Sequence, residues 1–364
     1  MPDPRPDVNG TIAALLQDMA AIQTARPRQL AYRQAAQAIR GLDVSIHEMV
    51  RPDGTLERIP HIGPSSTRVI VEVLSTGHSE TVERAIDQSG RRAEVERQRG
   101  WRTNFLTRAT VHAVLSGQGK RLVSRYRGDF QMHSTWSDGR QSLEDIVAGC
   151  LARGYSHAAV TDHSAGLPIA RGLSSTRLNE QAAEIARLNV EHAGRFRLLH
   201  GVEANIGSGG EVDVDASDRE RLDIVVAAPH SGLRSSESQT DRMVRVATTP
   251  GVHILGHPRG RKYGARPGVT ADWRRVFDAA AKSGVAIEID GDPSRQDVDF
   301  ELARQALDAG CDFALDSDAH SVRELAYADT AMAHAALAGI PVARIVNCWT
   351  TERLLAWADK RKGG

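Results

Sequence analysis

Cysteine, charge of one sign and long apolar runs are all scarce in this chain, and each scarcity excludes a class of protein. Its three cysteines, Cys150, Cys311 and Cys348, are far apart and form no C-x-x-C pair, which disfavours a disulfide framework or a thiolate zinc site. Lys plus Arg and Asp plus Glu each number 46, so no whole-molecule field draws the protein onto nucleic acid. No run of about 18 apolar residues occurs, and the polar, Pro-rich start, Met1 to Gly10, does not resemble a signal peptide. We therefore expect a cytoplasmic protein that does not bind membranes.

What the chain does contain is a series of seven short apolar runs, each leading into an acidic residue or a histidine. They lie near residues 128–132, 157–161, 196–202, 223–228, 252–256, 285–289 and 312–316. Amphipathic segments of helical period separate them, so the pattern predicts parallel strands joined by crossover helices, as in an α/β barrel. Side chains at the strand ends would then meet at one rim.

Those strand ends carry side chains that can bind metal. The histidines and carboxylates concerned are His133, Asp138, His163, Glu203, His230, His257, Asp318 and His320. A core histidine is usually a satisfied structural group, but so many ionisable groups buried together without cations would suffer desolvation and repulsion. Imidazole and carboxylate suit zinc, manganese or iron, so the sequence predicts a metal centre.

The first hundred residues have a different pattern. Helical periodicity from Thr11 to about Gly41 is broken at Arg26-Pro27, which predicts two packed helices. The turn Ile59-Pro60-His61-Ile62-Gly63 precedes another helical run, where free backbone N–H groups suit a phosphate; alternatively, it is an ordinary turn that Gly63 permits.

A basic segment, residues 91–127, follows. It holds ten basic side chains against Glu94 and Glu96, which predicts a track for a polyanion such as DNA or, alternatively, a solvated helix face and linker.

These motifs resemble two known families. The hairpin at Pro60, His61, Ile62 and Gly63 resembles a helix-hairpin-helix in the small N-terminal domain of family X DNA polymerases. The later part resembles the PHP (polymerase and histidinol phosphatase) superfamily, and the PHP domain of bacterial family X polymerases in particular. The motifs that carry this resemblance are Gln131-Met132-His133, Ser137-Asp138-Gly139, Thr161-Asp162-His163-Ser164, Gly201-Val202-Glu203, Pro229-His230-Ser231, Gly256-His257-Pro258 and Ser317-Asp318-Ala319-His320.

The resemblance implies a fold and a domain order. The fold would be a distorted seven-stranded TIM-like α/β barrel preceded by a small all-α domain. The expected order is a helix-hairpin-helix domain over 1–95, a basic linker over 96–127 and a PHP phosphoesterase domain over 128–364.

The resemblance also implies two or three divalent ions, manganese, zinc or iron. One would be held by Gln131, His133, Glu203 and Asp318, a second by a bridging Glu203 with His230 and His257, and a third by Asp138, His163 and His320. Gln131 departs from the family, which has histidine there. That site is therefore expected to be weak, to prefer manganese or magnesium, or to stay empty, unless the other three ligands suffice.

Closely spaced cations that activate a water imply phosphoester hydrolysis. Arg259, Arg261 and Arg295 are candidates for contacts with phosphate oxygens, although an exposed arginine is more often only solvated. Asp162 is expected to hold its neighbour His163 by a hydrogen bond rather than to bind metal.

The leading functional prediction is a hydrolase that acts on DNA ends in repair, as a 3′–5′ exonuclease or a 3′-phosphatase. Polymerase activity is not expected, because the roughly thirty residues between 95 and 128 cannot hold a polymerase core. Two alternatives remain open: a small-molecule phosphatase of the histidinol-phosphate type, and a degenerate module that binds DNA or a protein partner without catalysis.

Overall fold

The computed structural model describes residues 7–362, so residues 1–6 of the polar start lie outside the described residues. The chain divides into two compact units. The first runs to Gly117 and also includes residues 262–266, and the second comprises residues 118–261 and 267 onward. The division falls within the segment 96–127, which the structure folds largely into short helices. The domain boundaries at 95 and 128 stay predictions.

The first unit is helical. Its helices are α1 (Val8–Ile22), α2 (Arg26–Arg40), α3 (Pro64–Thr76), α4 (Glu80–Ser89), α5 (Arg92–Gly100) and α6 (Arg108–Ser116), with a 3₁₀ turn at Ile46–Met49. The predicted break between two helices is confirmed, with Pro27 in the first turn of α2, where a missing N–H costs nothing. One cluster of buried aliphatic side chains, including Ile12, Leu16, Ile39 and Ile70, forms its core.

The predicted hairpin is present in this unit. Gly63 caps α3, and Pro64 begins it, so the turn does lie at a helix N-terminus. Pro60, His61 and Gly63 are exposed, and His61 has a left-handed backbone, with φ of 64°.

The second unit is a parallel α/β structure. Its strands are β1 (His157–Val160), β2 (Arg197–Asn205), β3 (Ile224–Ala228), β4 (Ile254–Leu255), β5 (Ala286–Asp290) and β6 (Phe313–Asp316). They pair in sequence order, every pair parallel. The helices are α7 (Lys120–Val123), α8 (Leu143–Ala152), α9 (Ser175–Glu191), α10 (Ala216–Arg221), α11 (Thr240–Ala247), α12 (Trp273–Ser283), α13 (Phe300–Asp308), α14 (Ala328–Ala338) and α15 (Thr351–Lys362). Short 3₁₀ turns occur at Pro168–Ala170, Val322–Tyr327, Val342–Arg344 and Val346–Cys348.

The expected count of seven strands is not confirmed, because the run near 128–132 forms only an isolated parallel bridge, Met132 to Ala319. Side chains take backbone donors that a ladder would use: Asp316 Oδ1 accepts from the Phe130 N–H at 2.8 Å, and Asp129 Oδ1 accepts from that of Gln131 at 3.2 Å. The run still bonds on both sides, from the Ala159 N–H to Asp129 O and from the His133 N–H to Ala319 O.

Within the span 7–362, no helix is long and apolar enough to cross a membrane.

Candidate metal centre

The carboxyl ends of the strands bring the predicted ligands together. Glu203 lies in β2, while His230, His257 and Asp318 each come two residues after β3, β4 and β6. His163 follows β1 by three residues. Because the strands are parallel, these positions share one edge of the sheet, which is where α/β proteins place ligand sites.

Glu203 is the hub of this edge. Its Oε1 lies 2.9 Å from His257 Nε2 and 3.3 Å from His230 Nε2. Its Oε2 lies 3.1 Å from His163 Nδ1 and 3.4 Å from His133 Nε2. The Glu203 side chain is fully buried, so four imidazoles converge on one carboxylate away from water.

The potential ligand atoms fall into three overlapping groups, each with its atoms within 4.8 Å of one another. The groups are His133, Glu203 and Asp318; His163, Glu203 and His230; and His133, Asp138, His163 and His320. All eight predicted histidine and carboxylate ligands therefore lie at or beside one centre. The second group differs from the expected set, because His163 takes part in it while His257 approaches Glu203 alone.

These residues fit divalent cations. In the described part of the chain, buried polar atoms without a hydrogen-bond partner include Glu203 Oε2 and Nδ1 of His133, His163, His230 and His257. Of these atoms, Glu203 Oε2 and His163 Nδ1 lie 3.1 Å apart at the centre itself, whereas the other three rings face Glu203 with Nε2. Unpaired buried polar atoms are costly, and a carboxylate oxygen and a ring nitrogen left unpaired side by side fit a cation.

Electrostatic interactions keep Glu203 ionised and His163 neutral, the states in which these side chains bind cations. Burial by itself would raise the pKa of Glu203, but His163 and His230 hold it well below the usual range. Burial also lowers the pKa of His163 to about 4, so its imidazole is neutral and able to bind a cation near pH 7. His320 differs: burial opposes its charge, yet the Asp138 hydrogen bond and the Asp318 charge raise its pKa to about 9.

Two of the predicted ligands occupy strained backbone. His257 has φ of 22° and Asp318 has φ of 52°, both in the left-handed region that residues other than glycine rarely adopt. Such strain is typical of functional sites, where surrounding structure holds it in place.

Gln131 is fully buried below this centre. In the amide orientation that satisfies its hydrogen bonding, the nitrogen donates to Glu288, at 3.1 Å from Oε2. The same Glu288 atom accepts from the His257 backbone N–H at 2.5 Å. A nitrogen that donates to a carboxylate is no metal ligand, so a ligand role for Gln131 depends on its oxygen and stays a prediction.

The three candidate arginines have different surroundings. Arg261 is buried, and its guanidinium donates to Asp299 and to the Gln296 carbonyl, at 3.0 and 2.6 Å. Arg259 also bonds Asp299, at 3.0 Å. Both arginines therefore share Asp299, and their expected role as phosphate contacts stays a prediction.

Arg295 is different, because its Nη2 lies 3.2 Å from Asp318 Oδ2, on a predicted ligand. The guanidinium therefore holds the orientation and charge of that carboxylate.

Asp162 accepts several hydrogen bonds, and the bond to His163 that was expected of it stays a prediction. It accepts from the Ser134 N–H at 2.8 Å, from Ser134 Oγ at 2.6 Å and from Gln181 Nε2 at 2.6 Å. Ser137 Oγ donates to it as well, at 2.5 Å. Asp162 therefore fixes the loop that carries His133 and Asp138. Sequence reasoning missed Gln181, whose only indication is a polar residue on the buried face of α9.

Fewer arginines of the basic segment are available to bind DNA than its composition predicted. Five of its arginines form ion pairs with carboxylates of the same unit: Arg91, Arg92, Arg99, Arg102 and Arg108. The local excess of eight therefore overstates the charge that is available to DNA.

Both parts of the chain are similar to known proteins. Residues 7–79 match the family model of a helix-hairpin-helix domain. The chain is 37% identical, over 204 residues, to the DNA polymerase/3′-5′ exonuclease PolX of Bacillus subtilis. This match covers 56% of the chain but spans only 36% of that protein.

The chain is also 28% identical, over 250 residues, to the probable phosphatase YcdX of Escherichia coli, covering 65% of the chain and 95% of that protein. Among solved structures, histidinol phosphate phosphatase from Lactococcus lactis, complexed with zinc, L-histidinol and phosphate, matches with a TM-score of 0.41 and 17% identity. That match covers 57% of the chain and 92% of the solved one. In its motifs and its sequence relatives the chain is therefore similar to PHP-superfamily proteins, and it carries a match to a helix-hairpin-helix domain.

Proposed function

We propose that the chain is a metal-dependent phosphoesterase that hydrolyses DNA ends, as a 3′–5′ exonuclease or a 3′-phosphatase, without polymerase activity. The observation that carries this proposal is the convergence of four imidazoles on Glu203, with Asp318, Asp138 and His320 beside them. The extended run at 128–133, bonded to both neighbours, would complete a distorted seven-membered barrel around this centre.

When bound, divalent cations would neutralise the charge of a phosphate and lower the pKa of a water. The chain's residues fix where this happens. His133, His257 and Asp318 have side chains no more than 3% exposed, whereas His230, His320 and Asp138 are 20%, 29% and 34% exposed. The open side, through which a phosphoester would enter, therefore lies at Asp138, His320 and His230. Arg295, bonded to Asp318, adds positive charge at the buried side.

DNA is the proposed substrate because the chain combines this centre with a helix-hairpin-helix. The hairpin tip is exposed, and the exposed Arg58 and Arg68 flank it in sequence. Backbone N–H groups and arginines at such a turn suit phosphates of a DNA backbone. A relative whose name includes 3′-5′ exonuclease also matches more than half of the chain.

A small phosphate ester is the second candidate substrate. The match to a probable phosphatase covers 95% of that protein. Nearly the whole of a protein that is named for phosphatase activity is therefore similar to part of this chain. A non-catalytic module is disfavoured, because eight candidate ligands still gather at one centre.

The test is hydrolysis by the manganese-loaded protein of 3′-labelled DNA, histidinol phosphate and p-nitrophenyl phosphate. We expect DNA cleavage that is lost in His257→Ala and weakened, for DNA alone, by His61→Glu at the exposed hairpin. Turnover of only the small esters would transfer the proposal to a small-molecule phosphatase. Bound metal without any turnover would contradict a phosphoesterase.

A further inference from the structure

A surface cavity lies next to the open side of the metal centre. It has a volume of about 470 Å³ and is lined by Arg140, Gln141, Ser321, Val322 and Arg323. Both walls continue directly from predicted ligands: Arg140 comes two residues after Asp138, and Ser321 follows His320.

Hydrogen bonds between the walls hold the cavity together. The Arg140 N–H donates to the His320 carbonyl at 2.9 Å, and the Val322 N–H donates to Gln141 Oε1 at 3.2 Å. The Gln141 carbonyl in turn accepts from the Thr135 N–H at 2.9 Å. The cavity is therefore a fixed feature of the loops that carry Asp138 and His320.

The two arginines of this cavity lack partners. Both are exposed, and over residues 7–362 no hydrogen bond or ion pair engages either guanidinium. The acid next to Arg323 in the chain, Glu324, accepts at Oε2 from the His320 N–H at 2.9 Å. The acid nearest to Arg140, Asp138, has its Oδ1 3.6 Å from His163 Nε2 and 3.5 Å from His320 Nε2. This contrasts with Arg259, Arg261 and Arg295, which carboxylates engage. Two unpaired guanidiniums facing one cavity favour an anion with several oxygens.

The position of the cavity relates it to the reaction. Asp138 and His320 are the most exposed of the predicted ligands, with side chains 34% and 29% exposed. Two residues of chain span at most about 7 Å, so Arg140 lies close to Asp138. A phosphate that neighbours the reacting one in the same substrate would fall within reach of both arginines.

We propose that Arg140 and Arg323 form a subsite for a second phosphate of the substrate. The chain then favours phosphoesters that carry a further phosphate, such as a short oligonucleotide, over isolated monophosphates. This inference rests on the proposed phosphoesterase function and names the class of substrate for the same centre.

The test compares ligands with one and two phosphates. The dinucleotide pTpT, thymidine 3′,5′-bisphosphate and thymidine monophosphate are titrated calorimetrically into the full chain in a His257→Ala background, so that binding is read without turnover. The test variant is Arg140→Gln/Arg323→Gln. The matched control is Arg197→Gln, an exposed arginine at the start of β2, which is the opposite end from Glu203.

We expect pTpT to bind about tenfold more tightly than the monophosphate, as one or two charge-assisted hydrogen bonds would give. The double variant should lose this preference, and Arg197→Gln should keep it. In the active chain, the double variant should raise KM for pTpT about tenfold and leave KM for p-nitrophenyl phosphate within about twofold. If the bisphosphate binds as tightly as pTpT, the subsite accepts a terminal phosphate group. If only pTpT binds more tightly than the monophosphate, the subsite accepts a phosphodiester.

Equal affinity for pTpT and the monophosphate in the chain with both arginines would overturn the proposal. The proposal would also be overturned if the double variant kept the preference for pTpT. The same holds if its KM rose as much for p-nitrophenyl phosphate as for pTpT. If the chain hydrolyses none of these esters but the preference disappears with the arginines, the subsite stands and the phosphoesterase function fails.

Discussion

Glu203 is the residue on which the candidate centre depends most, because its two oxygens each meet two imidazoles within 3.4 Å. Glu203→Gln keeps the shape but removes the charge and one acceptor. We expect hydrolysis to fall about 100-fold or more, with the metal content lower by at least one ion per chain. Metal analysis and turnover of p-nitrophenyl phosphate measure the two effects. Glu211→Gln, an exposed carboxylate of the same unit, should change neither, and an unchanged metal content in Glu203→Gln would refute the hub role.

Asp162 acts through other residues rather than on substrate. Three of its four accepted hydrogen bonds come from the loop between His133 and Asp138, and the fourth comes from Gln181 in α9. Asp162→Asn replaces an accepting oxygen by an amide NH₂ group, which faces groups that also donate. We therefore expect the free energy of unfolding to fall by about 1–3 kcal/mol and metal binding to weaken roughly 10–100-fold. Urea unfolding and zinc titration against a chelator measure these values. Asp241→Asn, at an exposed ion pair with Arg275, serves as the control and should stay within about 0.5 kcal/mol.

At the scale of elements, apolar periodicity predicted most of the strands and helices of the second unit. The amphipathic segment expected between the runs near 157–161 and 196–202 contains the helix Ser175–Glu191, and the expected strand at 285–289 is observed at Ala286–Asp290. Periodicity succeeds there because burial decides both type and bounds. It failed near 128–132, where Asp129 and Asp316 side chains bind backbone N–H groups, and a periodicity of apolar residues does not report such bonds.

His253 ties together two elements and makes their stability depend on pH. Its Nδ1 accepts from the Val225 N–H in β3 at 3.0 Å, and its Nε2 contacts the Ala358 carbonyl in α15 at 3.1 Å. The ring must therefore be neutral, and burial lowers its pKa to about 3. Below pH 6.5 the unfolded chain binds a proton at His253 that the folded chain accepts only near pH 3. The free energy of unfolding should thus decrease as pH falls, by about 1.4 kcal/mol per pH unit for this group.

His253→Gln tests this dependence, because an amide can replace both hydrogen bonds without titrating. Between pH 6.5 and 5, its loss of stability in EDTA should be about 2 kcal/mol smaller than that of the unsubstituted chain, by urea unfolding at each pH. His192→Gln, at the partly exposed end of α9, should keep the original dependence. An unaltered pH slope in His253→Gln would mean that this histidine is not the proton-linked group.

At the scale of the whole molecule, contacts between distant residues set the limit of sequence reasoning. Arg102 and Asp18, 84 residues apart, form a buried ion pair, and Arg261 reaches Asp299 across 38 residues. Neither pairing has a local pattern, so composition alone counted these arginines as available for DNA or phosphate. The convergence of the candidate ligands was predictable despite similar separations, because parallel strands bring their carboxyl ends to one edge of the sheet.

All candidate ligands belong to the second unit, which gives the molecule an asymmetry that calorimetry can detect. Residues 133–320 supply every group that converges on Glu203, while the helical unit has its own aliphatic core. A ligand that binds only the folded state stabilises it by RT ln(1 + [L]/Kd), about 2.7 kcal/mol at 100 times Kd. Manganese or zinc, added to protein stripped of metal with EDTA, should therefore raise the midpoint temperature of the second unit's unfolding transition by several degrees. The midpoint of the helical unit's transition should not change. In His257→Ala/Asp318→Ala the shift should disappear. An equal shift of both transitions, or a shift that survives this double substitution, would place the cations elsewhere in the chain.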